Sequence, residues 1–223
     1  MPAHMLSLSR PLTHSLSSPS SAEQSVRCLS SLADGRIISG ADDRTVRVWN
    51  LTTGESQKLS GHTKSVLSVA ALGKTRVISG SYDKSVCVWD LTTGLCAKEL
   101  LEHAEEVRAV AVIDGDRLLS GSMDRTVCVW TAASKSDPRT VVGHSEVGPS
   151  STSSHPYLGN DFTWCSQRIL SLVVMDDGRV VSSSSDGSIV VWDAKTGECS
   201  KKLTGHSWVR TLWARVYPCH HPF

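Results

Sequence analysis

Serine, histidine and aspartate are the residue types of nucleophilic acyl transfer: a base activates a hydroxyl and a carboxylate orients the base. The 223-residue chain carries them as a repeating set. Trp49, Trp89, Trp130 and Trp192 each close a short β-branched run: TVRVW, SVCVW, TVCVW and SIVVW. Six residues before each stands Asp43, Asp83, Asp124 or Asp186, and ten before stands Ser39, Ser79, Ser120 or Ser182. His62, His103, His144 and His206 follow the tryptophans by thirteen or fourteen residues. A hydrolase would use such a set once, beside an oxyanion hole. Repetition in step with a tryptophan argues for a structural use, and no catalysis is expected from these residues.

The elements that must hold the set are short strands. One unit reads as an apolar run at 66–69, a turn at 73–75, a run at 76–79, a turn at Asp83, a run at 85–89 and, after Gly94, a more polar run to Leu101. Glycine-containing turns between runs of four to six residues predict antiparallel hairpins. Asp34-Gly35, Asp114-Gly115 and Asp177-Gly178 fall at the same hairpin of their units, where the turn wants a residue tolerant of positive φ. Four strands at a period near 41 residues match a propeller blade.

With Gly-His near one end of the units, except that Glu102 precedes His103, and Trp-Asp near the other, the chain resembles the WD-repeat β-propeller family over residues 25–212. The resemblance implies an all-β propeller of four-stranded antiparallel blades, about four of them plus the first strand of a fifth, forming an incomplete ring. Blades are expected at 25–61, 62–102, 103–143 and 144–205, with a partial one at 206–212. In this family the recurring residues form a hydrogen-bonded chain of histidine, aspartate and serine toward the tryptophan ring. Carried over, it gives His62/Ser79/Asp83/Trp89, His103/Ser120/Asp124/Trp130 and His144/Ser182/Asp186/Trp192. Ser39/Asp43/Trp49 is a partial set, because Ala22 stands where its histidine would. The physics agrees, since a buried indole N–H needs an acceptor and a buried carboxylate needs donors. The residue after tryptophan departs from aspartate at Asn50 and Thr131.

Composition bounds the function. Lys plus Arg number 23 against 22 acids, a net charge of +1, which excludes a strongly basic nucleic-acid binder. No apolar stretch approaches the length of a membrane-spanning helix. Seven scattered cysteines without a CxxC pair read as reduced thiols of a cytoplasmic or nuclear protein. Residues 1–24 are a serine- and proline-rich tail, too polar to offset the cost of ordering. Gly73-Lys74-Thr75 lacks the first glycine of a phosphate loop, because Ser68 stands there. Asn50-Leu51-Thr52 is a glycosylation sequon without a secretory context. Cys219-His220-His221 offers three clustered metal-binding groups without a fourth. No cofactor and no metal is expected.

Two segments break the pattern. The interval from His144 to Asp186 is 21 residues longer than the matching intervals of blades 2 and 3. Removing 147–167 restores the alignment. That segment begins with valine and ends with glutamine, whose codons can supply the GT and AG of an in-frame intron, so a retained intron and a surface loop both fit. Residues 213–223 show no turn, serine or aspartate at the repeat offsets.

The expected function is a non-catalytic protein-interaction scaffold, binding a protein or peptide, with another chain as a possible closer of the ring. Neither nucleic acid nor membrane is expected as a partner. Binding is placed on loop tips that vary while the frame repeats: Asp42, Tyr82, Met123, Ser185, Lys64, Glu105, Glu106 and Trp208. Arg27, Arg108 and Arg210 each follow the first valine of a unit. Val-Arg at this place is similar to the propellers of F-box/WD ubiquitin-ligase substrate receptors. That resemblance implies arginines reading phosphorylated peptides, because a guanidinium grips phosphate bidentately. No F-box is expected within the 24 residues ahead of blade 1.

Overall fold

In the computed structural model the described residues are 25–131, 139–141 and 168–207. They form sixteen strands in four sheets, and no α-helix occurs among them. Blade 1 is β1 (Val26–Ser31), β2 (Ile37–Ala41), β3 (Thr45–Trp49) and β4 (Ser56–Ser60). Blade 2 is β5 (Val66–Leu72), β6 (Arg76–Ser81), β7 (Val86–Asp90) and β8 (Leu95–Leu100). Blade 3 is β9 (Val107–Val112), β10 (Arg117–Ser122), β11 (Val127–Thr131) and β12 (Arg139–Val141). Blade 4 is β13 (Ile169–Val174), β14 (Arg179–Ser184), β15 (Ile189–Asp193) and β16 (Cys199–Leu203). Every sheet is an antiparallel meander in chain order.

The innermost strands β1, β5, β9 and β13 each pack on the next, so the blades fan out as an arc that does not close. Each joint has its own core. Ile38, Val48 and Leu59 of blade 1 meet Val66, Val77, Cys87 and Trp89 of blade 2. Blades 2 and 3, and blades 3 and 4, are joined in the same way. Each large side chain so buried contributes about 1.5–3 kcal/mol. The first strand of a fifth blade, the segments 1–24, 147–167 and 213–223, and Cys219-His220-His221 lie outside the described residues.

The turns explain the repeated polar residues. Asn50, Asp90 and Asp193 follow their tryptophans, and each side chain accepts backbone N–H groups two and three residues on. Asparagine performs this duty as well as aspartate, so the departure at Asn50 leaves the turn intact. Gly35 and Gly178 adopt positive φ in the first hairpin. Gly115 does not, which corrects the sequence expectation. There the glycine stands one residue earlier: Asp116 precedes the paired Arg117 where Gly35 and Gly178 precede Arg36 and Arg179, and the Asp114 carboxylate accepts the N–H groups of Asp116 and Arg117.

Candidate protein-binding face

The recurring polar set is buried framework. The hairpin places Ser79 opposite Cys87, so Trp89, two residues further, shares its side of the sheet. The Trp89 indole N–H donates to Ser79 Oγ at 2.7 Å. His62 Nε2 lies 2.7 Å from the same oxygen, and His62 Nδ1 donates to Asp83 at 2.9 Å. The Asp83 carboxylate also accepts from the Thr63 N–H and from both the N–H and hydroxyl of Ser85. Burial alone would raise its pKa, but the bonds from His62 and Ser85 outweigh it and hold the carboxyl well below its ordinary range. Blade 3 repeats this with His103, Ser120, Asp124 and Trp130, at 2.7–2.8 Å, and the Asp124 carboxyl is lowered for the same reasons. In blade 4 Trp192 donates to Ser182 at 2.8 Å and Ser188 to Asp186, while His144 lies outside the described residues. In blade 1 Trp49 donates to Ser39 at 2.8 Å and Thr45 to Asp43. Ser79, Ser120 and Ser182 are 0% exposed, so no substrate carbonyl reaches their hydroxyls.

The histidine precedes the inner strand of its blade and follows the outer strand of the blade before it. Its bonds therefore clamp the connection between two blades onto the second one.

The variable residues gather on one edge. The N–H groups of Asp42, Tyr82, Met123 and Ser185 donate to the carbonyls of Ser25, Ser65, Glu106 and Arg168, each just ahead of an inner strand. Ser81 Oγ donates to the Lys64 carbonyl and Ser122 Oγ to that of Glu105, which pins the loops. The arginine positions have a feature that sequence reasoning missed. Val26 and Cys28 pair with Ala41 and Gly40, so Arg27 is an extra residue in a β-bulge. Leu67, Arg108 and Leu170 stand at the same bulge in blades 2, 3 and 4. A bulge re-aims its side chain, and the sequence signal for it is the one-residue surplus between the first valine and the inward-facing alternation.

The two described arginines differ. Arg27 Nε donates to both carboxylate oxygens of Asp42, at 2.8 and 2.9 Å. The bond raises the arginine pKa and lowers that of Asp42, so each satisfies the other. The Arg108 guanidinium lies 6.0 Å from the Tyr82 ring centroid of the neighbouring blade, and Lys64 Nζ lies 5.7 Å from the same ring. Arg108 Nε is buried without a partner among the described residues. The Glu106 carboxylate beside the Tyr82 hydroxyl pushes its pKa up. Lys84 sits 3.9 Å from Glu105. Tyr82 is 42% exposed, Met123 is half-buried, and Arg210 and Trp208 lie outside the described residues. The structure thus brings Lys64, Tyr82, Glu106 and Arg108 together and keeps Arg27 and Asp42 as a separate pair. Among the described residues no group of three His, Cys, Asp or Glu side chains is placed to hold a metal, and no helix is long and apolar enough to cross a membrane.

The family described as WD domain, G-beta repeat matches residues 11–50, 54–90, 94–131 and 159–193, more than half of the chain. No curated protein matches significantly. Among solved structures the chain is similar to the crystal structure of the WD40 beta propeller domain of Doa1, with 23% sequence identity and a TM-score of 0.65. The match covers 80% of this chain and 53% of that one, so the chain spans about half of the propeller it resembles.

Proposed function

Because the chain belongs to the WD-repeat family of β-propellers, we propose that it is a non-catalytic scaffold that binds a protein or peptide. The binding face is the edge that carries Lys64, Tyr82, Glu105, Glu106, Met123 and Arg108. The observation that supports this reading is Arg108, turned out of the pleat by its bulge and laid near the exposed Tyr82 ring beside Lys64. Two cations flanking one aromatic ring suit an extended segment with an acidic group for the cations and an apolar or flat group for the ring.

The finer reading is a phosphorylated peptide, as for a ubiquitin-ligase substrate receptor. What favours it is the buried, unpartnered Nε of Arg108. Arg27 contributes less, because Asp42 already occupies it. The test is an array of phosphoserine and phosphothreonine peptides and their unphosphorylated counterparts, followed by anisotropy titration of the hits. Arg108→Ala and Lys64→Ala are expected to weaken binding about tenfold or more, in line with the loss of a charge-assisted contact. Arg27→Ala is expected to change little. A phosphate preference would establish the finer reading, and equal binding of both forms would leave the scaffold alone. Binding that ignores Arg108, Lys64 and Tyr82 would place the partner elsewhere.

A further inference from the structure

Adjacent blades are held at two levels. At the inner strands Gly40, Gly80 and Gly121 leave room for Val66, Val107 and Ile169, because a Cβ on any of the three would stand 2.6 Å from that neighbour. At the edge opposite Tyr82, an arginine crosses each of the first two joints. Arg36 donates to the Lys74 carbonyl at 3.4 Å, and Arg76 donates to the Gly115 carbonyl at 2.9 Å. The second of these bonds lands on an Asp-Gly sequence.

Asp-Gly is the sequence at which a peptide chain isomerises most readily, since glycine has no Cβ to hinder the attack. The glycine nitrogen attacks the aspartate Cγ. A C–N bond forms, and the amide proton leaves with the carboxyl hydroxyl as water. The cyclic imide then takes up water. Opening at the Cα-side carbonyl leaves the chain running through Cγ, one backbone carbon longer, with a free α-carboxylate. The composition is unchanged, and no reactant besides water takes part. The step needs a glycine nitrogen that is free to lose its proton.

The described residues hold Asp-Gly at 34–35, 114–115, 177–178 and 186–187, and the four differ at that nitrogen. The N–H groups of Gly35, Gly178 and Gly187 donate to the carbonyls of Leu32, Met175 and Ser184. The Gly115 N–H has no acceptor among the described residues. Exposure does not separate the hairpin aspartates, whose side chains are 47%, 45% and 50% exposed at Asp34, Asp114 and Asp177. Their carboxylates are alike as well. Each accepts the N–H and the guanidinium of a following arginine, Arg36, Arg117 or Arg179, which lowers its pKa. Gly187 is buried.

We propose that Asp114-Gly115 is a modification site, where aspartate isomerises to isoaspartate ahead of the other Asp-Gly pairs and the product releases the arginine bond between blades 2 and 3. The extra backbone carbon displaces the Gly115 carbonyl that receives Arg76. Arg117 guards the site, because it holds the Asp114 carboxylate ionised and away from the nitrogen.

The experiment keeps the full chain folded at neutral pH and physiological temperature. Isoaspartate is counted by transfer of a labelled methyl group from S-adenosylmethionine with an isoaspartyl methyltransferase, and is located by peptide mapping. Asp114 is expected to isomerise about fivefold faster than Asp34 or Asp177, the rate equivalent of one hydrogen bond on the glycine nitrogen. In denaturing urea the three rates are expected to converge. Arg117→Gln is expected to speed the reaction at Asp114 alone. The isolated isoaspartate form is expected to melt below its parent, and by less when both carry Arg76→Gln. Equal rates at the three sites in the folded chain would overturn the proposal. So would a preference for Asp114 that persists unchanged in urea. A melting loss as large with Arg76→Gln as without it would overturn the release of the joint.

Discussion

Blades 1 and 2 hold the same bond in different surroundings. Trp49 and Trp89 donate to Ser39 and Ser79 at 2.8 and 2.7 Å. Trp89 is wholly buried, with His62 and Asp83 behind its serine and blade 1 over its face. Trp49 is half-buried, and Arg47 lies near its ring. The hairpin register alone brings serine to indole. The neighbouring blade and the histidine clamp decide how much the bond is worth, because an unmade bond is costly only where water cannot replace it.

The comparison can be broken most forcefully at the tryptophans. Trp89→Ala is expected to destabilise by about 3–5 kcal/mol, as for a fully buried aromatic. Trp49→Ala is expected to cost less than half of that in urea unfolding. Equal losses would mean that blade 1 is as tightly covered as blade 2. Acid should act next. The Asp83 and Asp124 carboxyls lie below their ordinary range. Groups held this way contribute stability that is complete above the unfolded pKa of about 3.9 and is lost as pH falls toward the folded value. The melting temperature should therefore fall as pH is lowered from about 6 to about 3, and Asp83→Asn should make that fall shallower. An unchanged slope in the variant would remove the clamp from the account. The smallest effect sharpens a contrast between blades 3 and 4. Arg125 holds a left-handed φ of 76°, where blade 4 has Gly187. Arg125→Asn should gain on the order of 0.5 kcal/mol, because asparagine tolerates that region better. Gly187→Arg should lose about 1 kcal/mol or more, because its Cβ would meet the His206 carbonyl. Thermal melts of the two variants shifting the same way would refute the contrast.

The frame was legible because its constraints are local in sequence. Ten residues from Ser79 to Trp89 are one hairpin, and any chain that keeps the indole N–H satisfied keeps that interval. The aspartate after tryptophan was legible as a motif, but its turn-capping role needed the bonds from Thr92 and Thr93. The face was less legible, since it is assembled across blades. Lys64 and Tyr82 come from blade 2 and Arg108 from blade 3, and their meeting depends on how one sheet is set against the next. Asp42 and Arg27 were both singled out in the sequence as binding residues, yet only their distance shows that they occupy each other. Gly115 misled because the Asp-Gly pair of blade 3 sits one residue earlier in its hairpin, with Asp116 at the place that Gly35 and Gly178 hold.

Gly40, Gly80 and Gly121 also govern curvature. Each missing side-chain carbon lets one inner strand approach the next, and the closeness of the inner edges relative to the outer ones is what bends a row of flat sheets into an arc. One carbon per joint thus sets the angle each blade adds. A Cβ at any of the three would meet the next strand at the same 2.6 Å, so the three joints share one approach.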